Sequence, residues 1–529
     1  MGICIRRHNS IACALALLVF APLPEADAAD DLFSRDGPRN LHDVYIAAGR
    51  VFPTAAKPQS RTAQHRLIEE LAAIDPDTAA EQERRLDYRD DRLRLSWDLE
   101  LRPEAYAETN RGSRTFAEVL EREEPFAEFE TAYGVDGGPQ LVTRSVLQRE
   151  YRLDPPANYP PPGDGNPVPF ENNLIYEGFL HLPGKYLEAT IGRQQVHIGP
   201  SPDSSLMVSR RVPYLDAARI SLSLGRLRMT HLVSSLENRA SIQEERAQVP
   251  DYPAQPNADD PDGQYAFGKN AILYNVHYFE YAVERLRFGI GGQMVVARPM
   301  NEFHLGDFFP VFSWHNADLV PHNLAVVVDA AYVAAPGLEL YLQAGWDDIN
   351  ADFAGLADSE IPTIPAYLGG LRYTGVLDTV LIEGLLEAGY THYLWGSFHD
   401  EDYLSRAVYR QNTDGDIRSM PLTSPYGPGT VWGTLQGGVE WDSGFGLQLT
   451  YRLRAENPEA SLYETSYETS DEVAGTSKRV LHRISARPVF RVTPRMGFYA
   501  EPTLVIDDGN VGFEGTFGAA LRLSGTRRP

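Results

Sequence analysis

The feature that most constrains the fold is a series of short segments in which apolar and polar residues alternate. The segment "LRLSWDLEL", residues 93–101, places leucines and a tryptophan on one face and polar residues on the other. The segment "LQLTYRL", residues 447–453, repeats the pattern, and "ARISLSL" and "RFGIGGQMV" agree with it. A period of two indicates β-strands. About 18 such segments occur, most of them near the roughly 9–11 residues that a tilted membrane strand needs.

The connections between these segments alternate in length. The short ones are "VDGG", "LPGK", "LGRL", "VERL", "APGL", "VLDT", "DSGFG" and "TPRM". The long polar ones are centred near residues 113, 162, 205, 253, 310, 357, 414 and 468. Outer-membrane barrels have tight periplasmic turns, long surface loops and both termini inside. We therefore predict an all-β fold, a transmembrane outer-membrane β-barrel of about 18 antiparallel strands. A soluble propeller or sandwich pair also alternates, but the many long hairpins disfavour it.

Three parts are expected along the chain. Residues 1–28 have the basic start, apolar run and small residues of a secretory signal peptide, and the run is shorter than a membrane helix. Residues 29–92 are predicted to form a small periplasmic helical region, and residues 93–524 the outer-membrane barrel. Both cysteines, Cys4 and Cys13, lie in the signal. The exported chain is therefore expected to have no disulfide and no thiolate site.

The helical prediction for residues 29–92 depends on apolar spacing. In "TAQHRLIEELAAI", Leu67, Ile68, Leu71 and Ile74 recur at the spacing of one helix face. The segment "DTAAEQERRLDYRDDRL" continues in a charged helical style. We expect this region on the periplasmic side of the barrel.

Charge and motifs exclude several classes of function. The formal net charge of the 529-residue chain is −25, which repels nucleic acid. The sequence contains no G-x-S-x-G, H-E-x-x-H or Walker loop. The acidic loops "NADDPDG" and "ETSYETSDE" do not match an ordered calcium loop. We therefore expect a protein that is not an enzyme and has no metal, no cofactor and no nucleic-acid partner.

The polar face of the late strands carries several arginines that would line the lumen. They are Arg452, Arg454, Arg483, Arg487 and Arg491. One interpretation is an electropositive ladder that guides an anion through a pore. The other, which we favour, is an internal salt-bridge network with acidic neighbours such as Glu440 and Glu501, because a lumen must satisfy its charges.

The segment "IGRQQVHIGPSPDSSLMVSRR", residues 191–211, begins as a strand and then loses its alternation. Arg193 falls on the lipid-facing parity of Ile191, and we expect a β-bulge near it at the barrel rim. The loop that follows is predicted to fold inward and to shape a binding surface or a plug. Its candidate ligand-binding residues are Arg193, Gln195, His197, Asp203, Arg210 and Arg211.

Two further rim segments mix aromatic with polar groups. In the loop of residues 300–323 the candidates are Trp314, His315, Asn316 and Asp318, and in "AGWDDIN" they are Trp346 and Asp347. Sugars are bound by such mixtures, because aromatic rings stack on the C–H faces and polar groups bond the hydroxyls. A loop that packs into the barrel mouth would have the same composition.

Several segments together resemble the capsule assembly Wzi family of outer-membrane proteins. They are "HDVYIAAGRVFP…QHRLIEELAAID", "YLEATIGRQQVHIGPSPDSSLMVSRRVPYLDAARISL", "ELYLQAGWDDIN" and "EAGYTHY…PLTSPYGPGTVWGTLQGGVEW". The resemblance covers most of the chain, although His197 stands where the family usually has tryptophans.

This resemblance implies an 18-stranded barrel with a helical periplasmic part. It also implies a non-catalytic, lectin-like protein that anchors exported surface polysaccharide. The expected partners are that polysaccharide and the lipid and lipopolysaccharide of the outer membrane, with the barrel as a monomer. A porin or specific channel for small anionic solutes is the alternative.

Overall fold

The computed structural model describes most of the chain beyond its first 40 residues. The described residues are 41–57, 61–76, 78–80, 82, 93–108, 127–135, 138–149, 170–202, 204–241, 243–244, 268–301, 303–308, 322–348, 362–397, 403–413, 416–463, 478–493 and 495–527. The predicted signal peptide, residues 1–28, lies outside them, as do the acidic loops "NADDPDG" and "ETSYETSDE".

Two α-helices, two 3₁₀ helices and 23 strands have both ends among the described residues, and residues 78–80 and 243–244 are also helical. The α-helices are α1 (Leu41–Ala47) and α2 (Arg61–Ala72), and the 3₁₀ helices are Leu305–Phe308 and Tyr403–Ser405. The strands are β1 (Ala56–Lys57), β2 (Leu93–Leu101), β3 (Glu104–Glu108), β4 (Ala127–Val135), β5 (Gln140–Arg149), β6 (Phe170–Leu182), β7 (Leu187–Gln194), β8 (His197–Ile198), β9 (Leu215–Leu224), β10 (Leu227–Leu236), β11 (Asn270–Val283), β12 (Leu286–Pro299), β13 (His322–Ala335), β14 (Leu338–Trp346), β15 (Pro365–Leu377), β16 (Val380–Thr391), β17 (Val408–Thr413), β18 (Asp416–Pro421), β19 (Thr430–Trp441), β20 (Phe445–Glu456), β21 (Arg479–Thr493), β22 (Met496–Asp507) and β23 (Asn510–Arg527).

Nineteen of these strands close into one antiparallel barrel. The strands β2 and β3 lie end to end against β23 and together fill one position in the wall. The wall therefore has 18 positions, as the sequence predicts. The remaining strands pair in two small sheets, β1 with β8 and β17 with β18.

The two faces of the wall differ in burial as a membrane barrel requires. On β14, Leu340 and Leu342 on the outer face are 41% and 56% exposed, whereas Tyr341 and Gln343 on the inner face are 5% and 0% exposed. Large apolar side chains are exposed in the same way on many other strands, including Ile290 on β12. A closed barrel with an apolar outer surface spans the outer membrane. The predicted fold and the outer-membrane location are confirmed.

The connection lengths define the two ends of the barrel. Eight hairpins close with short turns at one end, where the wall also begins at Leu93 and ends at Arg527. Eight long connections lie at the opposite end, and the tight turn between β22 and β23 lies at that end as well. By the usual asymmetry of these barrels, the short turns face the periplasm and the long loops face outward.

The helical region packs against the periplasmic end. Leu67, Ile68 and Leu71 of α2 are buried in one cluster with residues of α1. Ile74, predicted on the same helix face, lies beyond the end of α2 and is 41% exposed. The helix pattern is therefore correct for three of the four positions, and the helix is shorter than its apolar spacing suggests. No described helix is long and apolar enough to cross a membrane.

The segment after α1 enters the barrel. The amide of Val51 donates to the carbonyl of Glu284 in a periplasmic turn, at 2.9 Å. The chain then rises into the lumen, where the Thr54 hydroxyl and the Ala55 amide both donate to the Glu280 carboxylate, at 2.7 and 2.6 Å. Farther along, β1 pairs with β8, which belongs to the extracellular connection between β7 and β9. Segments from the two ends of the barrel therefore meet inside it.

Candidate functional site at the extracellular mouth

The connection between β7 and β9 folds into the lumen. Leu206, Met207 and Val208 are fully buried in an apolar cluster with inward residues of the wall. The amide of Leu206 donates to the Gln343 side chain at 2.8 Å, and its carbonyl accepts from Gln293 at 2.7 Å. Wall side chains on two strands therefore hold the loop backbone, which has no strand partner at this point.

His197 serves this loop as a structural group. Its Nε2 lies 2.8 Å from the carbonyl of Ser201, and its Nδ1 accepts from the amide of Arg210 at 3.1 Å. A neutral ring protonated at Nε2 satisfies both contacts. The Gln195 side chain also donates to the Arg210 carbonyl, at 3.0 Å. Of these predicted ligand-binding residues, His197 is buried, Gln195 is half-buried and Arg210 is exposed.

The expected β-bulge near Arg193 is absent, and that prediction was wrong. The strand β7 pairs in unbroken register with β9, through Arg193 opposite Asp216 and Gln194 opposite Leu215. Arg193 keeps the outward parity of Ile191, and its charge is neutralised by Asp216, with Nε to Oδ1 at 2.8 Å. Because the charge is paired at the rim, the strand needs no bulge to move Arg193 off the lipid face.

Three tyrosines accompany Arg193 at the rim. The Arg193 guanidinium lies 4.1 Å from the centre of the Tyr214 ring. The Tyr214 ring packs edge-on against Tyr176 at 5.5 Å and against Tyr409 of β17 at 6.3 Å. All three rings are buried, so this cluster fixes the rim and offers little surface to a ligand.

The connection between β16 and β19 forms a second inward insert. Leu404, Met420 and Leu422 belong to the same apolar cluster as Leu206. Asp347 joins this insert to β14, because its Oδ2 accepts from the amide of Gly396 at 2.7 Å. Burial raises the pKa of Asp347 well above its ordinary range, and neighbouring Asp348 adds to the effect.

Trp346 and Asp347 were both predicted as candidate ligand-binding residues at the rim, and the structure places them on opposite faces of the wall. Trp346 shares the outward parity of Leu340 and Leu342 and ends β14 on the outer face. An aromatic ring at a strand end suits the membrane interface. Asp347 is 6% exposed and turns into the barrel.

The structure brings together three of the predicted arginines, from two distant segments. The guanidinium carbons of Arg211 and Arg454 lie 5.7 and 5.9 Å from the centre of the same Tyr426 ring. Desolvation lowers the pKa of Arg211 to about 10; Arg452 and Arg454 act in the same direction, against the opposing effects of Tyr426 and Glu387. Arg211, Arg452 and Tyr426 are all partly exposed at the extracellular end. A bound anion would reduce the repulsion among the three guanidinium groups.

We name Arg211, Arg452, Arg454 and Tyr426 the Tyr426 cluster. Its aromatic residue, Tyr426, was not predicted as a site residue. Tyr426 lies in "SPYGPG", between two proline-containing turn signals, and Trp432 packs beside it with ring centres 5.2 Å apart. An aromatic side chain at the tip of such a turn is the sequence signal that points to it.

The lumenal arginines have acidic neighbours, and Arg454 of β20 itself lies 3.1 Å from Glu456 of the same strand. Arg483 reaches Glu514 at 2.9 Å, and Arg487 reaches Glu501 at 3.6 Å. Arg491 pairs with Glu440. These contacts have the pattern of the salt-bridge network that we favoured over an unpaired cationic ladder.

The remaining predicted residues cannot be placed. Asp203, Trp314, His315, Asn316 and Asp318 lie outside the described residues. Within the described part of the chain, no group of three or more His, Cys, Asp or Glu side chains is arranged to hold a metal ion.

Comparisons with known proteins give a structural match and no sequence match. No family profile and no curated protein matches the chain. The barrel is similar to Wzi, an outer-membrane protein involved in group 1 capsule assembly in Escherichia coli and described as a carbohydrate-binding β-barrel. The TM-score is 0.57 at 12% identity, over 92% of this chain and 98% of that one.

Two solved structures of Pseudomonas aeruginosa proteins also match. OprD gives a TM-score of 0.40 at 11% identity over 81% of this chain and 95% of its own. OccD3 gives 0.39 at 10% identity over 82% and 91%. The match to Wzi, at 12% identity, supports the fold alone, and the resemblance to the Wzi architecture is confirmed at that level.

Proposed function

We propose that this barrel binds an acidic surface polysaccharide at its extracellular mouth and retains it on the cell, without catalysis. The observation that carries the proposal is the Tyr426 cluster, where Arg211 and Arg454 approach one partly exposed aromatic ring and Arg452 lies near enough to lower the pKa of Arg211. A sugar ring stacks on such a side chain, and guanidinium groups bind its carboxylates. The chain carries a net charge of −25, so an acidic ligand is favoured only where cations are concentrated.

The filled lumen supports retention over passage. The apolar cluster around Leu206 joins both inward inserts to the wall, and β1 and β8 pair across the interior. A polymer bound at the mouth would meet packed side chains below it. The barrel acts as a monomer, held in the lipid and lipopolysaccharide of the outer membrane.

Binding and retention give separate tests. Polysaccharide purified from the producing cells is titrated into the barrel in detergent, and surface polysaccharide is measured on deletion cells that carry each variant. We expect the double variant Arg452→Gln and Arg454→Gln to bind the polysaccharide at least about tenfold more weakly, because it loses one or two charge-assisted contacts. Neutral dextran should not compete.

The matched control is Arg239→Gln, which removes an exposed extracellular charge paired with Glu237, outside the Tyr426 cluster. This variant should bind and retain as the wild type does. Equal binding by the double variant, with its heat-modifiable gel mobility intact, would contradict the proposal. Normal retention on deletion cells would also contradict it.

A channel for small anionic solutes is the second candidate. The observation in its favour is that charged inward side chains keep contact with solvent, with Arg487 29%, Glu501 37% and Arg491 42% exposed. Planar-bilayer recording decides it. A barrel that conducts chloride in preference to potassium would support the channel, whereas one that stays silent and conducts only after deletion of residues 199–209 would refute it.

A further inference from the structure

A small cavity lies on the lumen side of the wall at the periplasmic end. Its lining comes from the N-terminal segment, from α2 and from strands β7, β9 and β10. Its volume is about 40 Å³, several times the roughly 10–15 Å³ that one water needs. The Tyr426 cluster lies at the opposite end of the barrel, so this cavity belongs to neither proposed function.

The charged side chains that line the cavity are mostly cationic. They are Arg66 of α2, Arg219 of β9, Arg228 of β10 and Glu188 of β7. Three arginines against one glutamate give the lining a formal charge of +2. In a chain with a net charge of −25, such an excess of positive charge around one small cavity requires an explanation.

Two carboxylates lie near these arginines. Arg66 lies 3.5 Å from Glu188, and Arg228 lies 3.7 Å from Glu70, whose side chain is 46% exposed. Close charge-assisted contacts are about 2.7–2.9 Å. Arg219 is 7% exposed, so water screens its charge poorly. The cavity therefore combines buried positive charge with ion pairs that are not at their closest distance.

Hydroxyl groups complete the lining. Ser221, Ser223 and Thr230 contribute hydroxyl groups beside the guanidinium groups, whereas the Thr54 hydroxyl, also in the lining, donates to Glu280. Guanidinium and hydroxyl donors that converge on a small space match the acceptors of a tetrahedral oxyanion or a carboxylate. We propose that this cavity binds a small oxyanion, such as phosphate, sulfate or a sugar carboxylate, which bridges the helical region to the barrel wall.

The bridge has a consequence for docking. Thr54 and Arg66 belong to the N-terminal part, whereas Arg219 and Arg228 belong to the wall, so the complete site exists only when the two are docked. A ligand that binds only the docked state stabilises that state by mass action. The bound oxyanion therefore stabilises the docked position of the helical region, and its removal weakens the docking.

The test uses the full chain in detergent. Sodium phosphate, sulfate and glucuronate are titrated calorimetrically at constant ionic strength against a chloride background, and hydrogen exchange is followed in residues 61–72. We expect saturable binding at one site by at least one of the three, with slower exchange in α2 when that anion is present. The preferred anion identifies the source as inorganic or sugar-borne.

Variants assign the binding to the cavity. Arg219→Gln should weaken it at least tenfold, and Arg228→Gln supplies a second variant if the first fails to fold. Arg239→Gln, an exposed arginine outside the cavity, should bind as the wild type does. The proposal is overturned if none of the three anions binds, or if both cavity variants bind with wild-type affinity and leave the exchange of α2 unchanged.

Discussion

Glu280 gives a direct test of how the N-terminal segment is held inside the barrel. Its carboxylate accepts from the Thr54 hydroxyl at 2.7 Å and from the Ala55 amide at 2.6 Å, and it is 1% exposed. Arg287, equally buried, lies 3.7 Å away and also donates to the carbonyl of Phe52. We therefore consider Glu280→Gln, which keeps the volume of the side chain and removes its charge.

The expected cost follows from the two contacts. Glutamine has one acceptor oxygen, so one of the two donors loses its partner and the other donates to a neutral oxygen. A hydrogen bond to a charged group contributes about 1.5–3 kcal/mol, and a neutral one about half as much. The sum is about 3 kcal/mol, which raises the population of the undocked segment about a hundredfold.

Hydrogen exchange of residues 51–57 measures this population, because the Ala55 amide itself donates to Glu280. Thr54→Val supplies a graded control, since it removes the hydroxyl that donates to Glu280 and accepts from the Ala56 amide at 3.1 Å but keeps the contact of the Ala55 amide with the carboxylate. It should accelerate exchange about tenfold. The reasoning fails if Glu280→Gln exchanges like the wild type, or if Thr54→Val has the larger effect.

Three further predictions concern pH, burial and the lipid face. Burial lowers the pKa of His42 in α1, outweighing Glu339 at 3.0 Å, so undocked α1 binds more protons. Docking of α1 should be complete above about pH 6.5 and should weaken as the pH falls towards the lower pKa that His42 has in the folded protein. Distances between spin labels on α1 and the barrel measure this docking, and in His42→Gln they should depend less on pH. Because burial raises the pKa of Asp347 and so disfavours its charged form, Asp347→Asn should leave the melting temperature unchanged, whereas Asp347→Leu should cost about 1 kcal/mol. Leu342→Arg, on the lipid face, should destabilise the inserted barrel by about 2–4 kcal/mol in urea titrations, and Thr379→Arg in an exposed turn should not.

The barrel wall could be predicted from sequence because lipid imposes one simple rule on it. Every second residue of each strand contacts hydrocarbon, so Phe513 and Phe517 of β23 are exposed and apolar while Glu514 between them is buried. This rule is local, and it repeats in every strand. The strand number, the turn positions and the orientation of both termini therefore follow from patterns within about ten residues.

The inward inserts follow no such rule. Gln343 holds the Leu206 amide across 137 positions of sequence, and Ser241 bonds Ser419 across 178. No periodicity relates such pairs, because their partners are chosen by three-dimensional fit. The same holds for the Tyr426 cluster, where Arg211 and Arg454 meet only after the loop has folded inward. The sequence identified the arginines as candidates, but only the three-dimensional structure shows that they lie close together.

The segment at Arg193 shows where a local rule misleads even within the wall. An arginine on the lipid parity of β7 suggests a bulge if each strand is considered alone, because an isolated charge is costly there. The cross-strand neighbour changes that conclusion. Asp216 lies directly opposite in the β7–β9 pair and neutralises the charge, while Tyr214 covers the guanidinium. The sequence contains both partners in "PYLDA", 21 to 23 positions after Arg193. A polar residue on an apolar face should therefore be weighed against the residue that its neighbouring strand places opposite, before a break in register is inferred.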